Sequence, residues 1–163
     1  MRRTKLLPLV AIATPLIACS SSATDQAVCT SGQYWTDGEG PFMMPGASCG
    51  AASCHGQSFT AAGTVYPTAH EPDDCDGVNG QDGGVDTTDA AVLLIASDGA
   101  TVTMQFNSVG NFLTTYGLAP PFTAKVVTAN GVLAMTDPVD DGDCNSCHTA
   151  AGANGAPGRI MLP

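Results

Sequence analysis

The stretch from residue 57 to residue 138 most constrains what this chain can fold into. It reads as short apolar runs broken by turn residues, with no long helical period. In "SFTAAGTVY", Phe59, Ala61, Gly63 and Val65 fall on one face. "DAAVLLIAS" is a continuous apolar run of the kind a buried strand makes. After Asp98-Gly99, "ATVTMQFN" alternates Val102, Met104 and Phe106 with Thr101, Thr103 and Gln105. Period two beside Asp-Gly predicts a β-hairpin with a two-residue turn. Ser108-Val109-Gly110 turns the chain into "NFLTTY", and Pro120-Pro121 precedes "FTAKVVTA". Asn130-Gly131 separates that run from "VLAMTD", which predicts a second hairpin with a type I′ turn. Short strands at this spacing imply a mainly β chain, a small antiparallel β-sandwich. Its core is thin: 19 Gly and 11 Pro stand against five Phe, three Tyr and one Trp. A small core gains from cross-links or from a bound group to pack around.

The N-terminus sets the compartment. In "MRRTKLLPLVAIATPLIACSS", Arg2, Arg3 and Lys5 precede an apolar run from Leu6 to Ala18. The run is too short for a spanning helix of about 20 apolar residues, and it fits an export signal. Leu16-Ile17-Ala18-Cys19 resembles a bacterial lipobox, in which the cysteine becomes the lipidated first residue. The expected organisation is a signal peptide over 1–18, a tether over 19–40 from lipidated Cys19, and over 41–163 the sandwich with its flanking motifs. A plain secretory signal is the alternative. Ser20 after the cysteine, by resemblance to Gram-negative lipoproteins, implies the outer membrane. Acyl chains would hold the protein to the bilayer without a spanning helix.

Beyond residue 18 only Lys125 and Arg159 remain as cations against all 15 acidic residues, a formal charge of 2 − 15 = −13. Nucleic acid is excluded as a partner, because its recognition needs a basic footprint. The acidic surface suits either a basic partner protein or plain solubility.

There are seven cysteines: Cys19, Cys29, Cys49, Cys54, Cys75, Cys144 and Cys147. With Cys19 lipidated, the others face an oxidising compartment. Three disulfides are one solution, although a Cys144–Cys147 bridge would close a very small loop and stabilise little. The alternative rests on His148, which directly follows Cys147 in "DGDCNSCHTAAG". In Cys-x-x-Cys-His, two thiols add to the two vinyl groups of a porphyrin, and the adjacent histidine ligates the iron from one face. A second, wider motif lies in "MMPGASCGAASCHGQSF", where four residues separate Cys49 from Cys54 and His55 follows. Some multihaem cytochromes use this spacing, with the extra residues looped out. Two attachments, at Cys49/Cys54 and Cys144/Cys147, leave Cys29 and Cys75 as one even pair, for which a disulfide is expected. A zinc site of Cys49, Cys54, Cys144 and Cys147 fits the spacing. It would leave both histidines without a role and require reduced thiols outside the cytoplasm.

The order of these pieces carries a resemblance. "FTAAGTVY", "AAVLLIASDGATVTMQFNSVGNF" and "PFTAKVVTANGV" resemble the carboxypeptidase-regulatory-like or transthyretin-like β-sandwich. Set between "PG…CHG" and "GDCNSCHTAAGANGAPGRI", the whole resembles a group of exported bacterial c-type cytochrome-like proteins over roughly residues 41–163. The departure is the four-residue spacing of the first motif. The resemblance implies two haem c groups, electron transfer at the cell envelope and redox partner proteins.

Only three histidines are present. His55 and His148 are the expected proximal iron ligands. His70 is the candidate distal ligand for one haem, its alternative being a solvated loop histidine. The other haem would be methionine-ligated, with Met135 the best candidate, or five-coordinate, or completed by a neighbouring chain. Met43, Met44 and Met161 are further methionines near the motifs. A methionine ligand raises a haem potential relative to histidine. The acidic loop "EPDDCDGVNGQDGGVD" does not fit an EF-hand and reads as solvated. The run Asp140-Asp141-Gly142-Asp143 precedes the second motif; its negative charge would favour ferric iron and lower the potential, by little if the carboxylates are exposed and salt-screened. Nothing resembles a catalytic triad or substrate pocket, so a non-catalytic electron carrier is expected. A disulfide-stapled or zinc-stabilised sandwich acting as an envelope binding or scaffold module is the other reading.

Overall fold

The computed structural model describes residues 40–51, 55, 58–72 and 89–163. Cys19, Cys29, Cys54 and Cys75 lie outside them, and so do the signal segment and most of the acidic loop. The described chain is mainly β. Its elements, in order, are β1 (Ala61–Tyr66), β2 (Ala91–Ala96), β3 (Thr101–Met104), β4 (Asn111–Thr114), β5 (Phe122–Thr128), β6 (Gly131–Ala134), α1 (Cys144–Cys147) and β7 (Ile160–Met161). Two small sheets form, ordered β4-β1-β7 and β3-β2-β5-β6.

The four-stranded sheet follows from its pattern. In β2, Val92, Leu94 and Ala96 are buried while Ala91, Leu93 and Ile95 are half-buried. Val92, Leu94, Met104, Phe122 and Val126 meet Val65, Phe112 and Leu162 of the other sheet in one core. Burying a side chain the size of Leu94 stabilises by about 1.5–3 kcal/mol.

Both hairpins form, with turns other than those expected. Ala96 N–H donates to the Ala100 carbonyl at 2.9 Å, so the β2–β3 loop holds three residues, Ser97, Asp98 and Gly99. Gly99 takes φ +88, and Asp98 Oδ1 accepts from Ala100 N–H at 2.9 Å. Glycine in this left-handed position closes a three-residue loop without steric cost. In the second hairpin Thr128 pairs with Gly131, which puts Ala129 and Asn130 in the loop. Neither these two residues nor Gly131 has positive φ, so the turn is not type I′. Register, fixed by burying Val126 in the core, shifts the turn one residue upstream of Asn-Gly.

The three-stranded sheet is not wholly antiparallel. β4 pairs antiparallel with β1, from Ala61↔Thr114 to Thr64↔Asn111. β7 pairs with β1 parallel, Val65↔Ile160 and Tyr66↔Met161. All six β1 residues are buried, so both of its faces are covered and no polar alternation appears in its sequence. No helix among the described residues is long and apolar enough to cross a membrane.

Candidate cofactor-attachment site

The Cys144–His148 motif is built on an edge of β1. β7 takes the far part of that edge, at Val65 and Tyr66. The near part is taken by the chain entering α1. Ala62 N–H donates to the Gly142 carbonyl at 2.9 Å, and Ala62 and Asp143 form an isolated parallel bridge. Thr64 N–H donates not to a backbone carbonyl but to Asn145 Oδ1 at 3.0 Å. Asn145 is the first residue between the two cysteines, and its side chain completes the strand edge that α1 cannot reach. Gly142 is required there, because a Cβ would collide with the Thr60 carbonyl.

α1 is one helical turn. His148 N–H closes it by donating to the Cys144 carbonyl at 2.9 Å. The His148 ring is held by the Gly158 carbonyl, 2.8 Å from Nδ1. A carbonyl only accepts, so Nδ1 carries the proton and the neutral ring keeps its lone pair on Nε2. Such a second hydrogen bond is what sets the ligating nitrogen of metal-binding histidines.

His70 reaches the same loop from the strand's other end. Its Nδ1 lies 2.8 Å from the Ala150 carbonyl, which assigns its lone pair to Nε2 as well. Gly158 serves both rings. Its carbonyl holds His148, and a Cβ on it would stand 3.1 Å from His70 Nδ1 and collide with the Ala69 carbonyl. Arg159 secures the contact. It is buried, its N–H and Nε bind the Ala69 and Glu71 carbonyls at 2.6 and 3.2 Å, and its guanidinium lies 4.3 Å from the Tyr66 ring centre.

The first motif closes in a related way. His55 N–H donates to the Cys49 carbonyl at a long 3.4 Å, as His148 does to Cys144. The added residues of the wider spacing are thus spanned by a hydrogen bond between the same two positions of the motif. The His55 side chain is exposed.

The two motifs meet at Asp143. In the acidic run Asp140 and Asp141 are exposed, but Asp143 is buried, 4% exposed. Its carboxylate accepts hydrogen bonds from Ser48 Oγ, from Cys49 N–H (3.1 Å) and from Gly50 N–H (2.9 Å). Two residues further on, Asn145 Nδ2 donates to the Ala47 carbonyl at 2.9 Å. Asp143 stands at the N-cap position of α1 yet makes no side-chain bond to its own helix. Its acceptors are spent on the first motif instead.

The Cys144 and Cys49 thiols are held protonated. Burial, then the neighbouring Cys49 and Asp143, push Cys144 up to about 12. Cys144 Cβ lies 2.9 Å from where a Cβ on Gly63 would be, so the strand's glycine makes room for it. Burial, then the Asp143 carboxylate, push Cys49 up to about 11. Cys147 is half-buried, with Asn154 Nδ2 3.6 Å from its sulfur.

Met135 lies elsewhere. It continues the β6 pairing through its N–H to the Ala124 carbonyl at 2.9 Å, on the four-stranded sheet. Met161 sits in β7 opposite Tyr66, and Met43 and Met44 precede the first motif, Met44 with φ +35. Among the described residues no group of three or more Cys, His, Asp or Glu is arranged to hold a metal ion; Cys54, needed for the zinc alternative, lies outside them.

Sequence reasoning missed Asp143, Asn145, Ser48 and Gly158 as parts of the site. The one local hint was Asp143 at a helix start, where an acidic side chain ordinarily caps its own helix. Compared with models of protein families, with curated proteins and with solved structures, the chain matches none.

Proposed function

We propose that this protein is a dihaem c-type cytochrome that carries single electrons at the bacterial cell envelope, anchored by lipid on Cys19. The observation that carries the reading is the His148 ring: in a Cys-x-x-Cys-His turn, its Nδ1–H is fixed on the Gly158 carbonyl and its lone pair is assigned to Nε2. The residues present fit a covalently held haem. Cys144 and Cys147 would supply the thioether sulfurs from one helical turn, and His148 the iron-ligating nitrogen. When bound, haem supplies reversible one-electron chemistry at its iron. Cys49, Cys54 and His55 hold the second group. His70 is the candidate distal ligand, supported by its place against the loop that follows Cys147. Met135 is the candidate for the other haem. The acidic surface steers basic redox partners.

The test is the pyridine haemochrome assay and absorption spectrum of protein matured in a host that attaches haem covalently. Two haems per chain are expected, and His148→Ala should disturb the low-spin spectrum. No haem from a competent host would overturn the reading and leave a stapled binding module.

A further inference from the structure

We infer that Asp143 is the positioning residue that joins the two motifs into one unit, fixing the first motif by its backbone on an acid of the second. The inference rests on the proposed function for what it positions, but its geometry stands without it. Three donors converge on this carboxylate: the consecutive amides of Cys49 and Gly50, and the Ser48 hydroxyl. Consecutive N–H groups form an anion-binding concavity, here filled by a side chain from 93 and 94 residues away. The approach favours glycine, since a Cβ on Gly50 would stand 3.0 Å from Asp143 Oδ2, closer than an ordinary van der Waals contact. Asn145 adds a second tie between the same two segments, at Ala47.

The arrangement has two consequences. Asp143 is the contact that places the Cys49 end of the wide-spaced first motif, with Asn145 holding the adjoining Ala47. A buried negative charge beside both Cys49 and Cys144 favours the ferric state at both motifs, so it lowers both potentials together.

The experiment compares wild type with Asp143→Asn, which keeps the shape but loses the charge and turns a donor toward donors. Ser48→Ala, which removes one of the three donors, is the milder variant if Asp143→Asn does not fold. In matured protein, we expect haem to fall from two per chain toward one, with the loss at the first motif. In the fraction that keeps two, both potentials should rise. Two haems at wild-type potentials in both variants would overturn the inference. A merely structural loosening would admit water to the sites and lower the potentials rather than raise them.

If wild type carries no haem, the proposed function fails, and the clamp is judged on the reduced chain. There, Cys49 of the variant should alkylate about 10-fold faster than in wild type, as expected for a thiol freed from burial and from a neighbouring negative charge, with Cys147 unchanged. Equal Cys49 rates would overturn the clamp.

Discussion

Cys144 and Cys49 show how one residue's surroundings reach both chemistry and stability. Their thiols stand at about 12 and about 11, above the ordinary value of 9.0, chiefly because burial disfavours the thiolate. Between about pH 9 and pH 12 the folded chain therefore binds more protons than the unfolded chain, and over that window stability must fall as pH rises. In the reduced, cofactor-free protein, the urea midpoint should hold steady below pH 8 and drop steadily from pH 9 upward. A midpoint that stays flat to pH 11 would contradict the burial of these thiols. The same shift makes Cys144 a poor nucleophile: its thiolate fraction at pH 8 is about 1,000-fold below that of an ordinary thiol. The proposed haem attachment would thus take place on the unfolded chain, before α1 docks on β1. Alkylation of Cys144 followed by mass spectrometry should be far faster in urea than in buffer. Thiols and histidines were legible in the sequence because their chemistry demands fixed residue types at fixed spacing. Asp143 and Asn145 were not, because their partners lie 81 to 98 residues away and no local period encodes that distance.

Elements were legible where a period spans the whole strand and illegible at their turns. β2 and β3 declared themselves by apolar run and alternation, and both hairpins exist as read. The turn types differ because register is decided by which side chains reach the core, and the loop takes what is left. Gly99 carries the consequence. With φ +88 and open space around its Cα, Gly99→Ala meets no clash and should cost only the left-handed backbone, about 1 kcal/mol. Leu94 belongs to the opposite regime. It is 1% exposed at the centre of β2, between β3 and β5, and Leu94→Ala should cost about 2–5 kcal/mol through the cavity it leaves. Denaturant titration of the two variants separates them; equal losses would mean that the hairpin, not the inter-sheet core, limits stability. β1 defied the alternation rule for a related reason. Covered by the core on one side and by the motif segments on the other, it has no solvent face to mark with polar residues.

At the scale of the whole molecule, β1 is the axis on which both ends of the described chain converge. The first motif runs into it, β4 pairs along one edge, and the other edge is shared by Gly142–Asn145 and β7. The first and last strands lie side by side, and their parallel direction follows from how the chain returns after α1. The parallel return is what sets the second motif beside the first. Two segments share the second edge, so losing one should loosen the other. Ending the chain after Arg159 would remove β7 and withdraw Leu162, which is 9% exposed in the core. The truncated protein should lose about 2–5 kcal/mol, as for a buried leucine reduced to alanine. Beyond that, amide exchange should quicken at Ala62 and Thr64, whose N–H groups bind Gly142 and Asn145 rather than β7. Faster exchange confined to Tyr66, beside β7 itself, would mean that the two halves of the edge open independently. Faster exchange at Ala62 and Thr64 as well would mean that the edge opens as one cooperative piece, so that the strand holding the C-terminus also holds the motif in place.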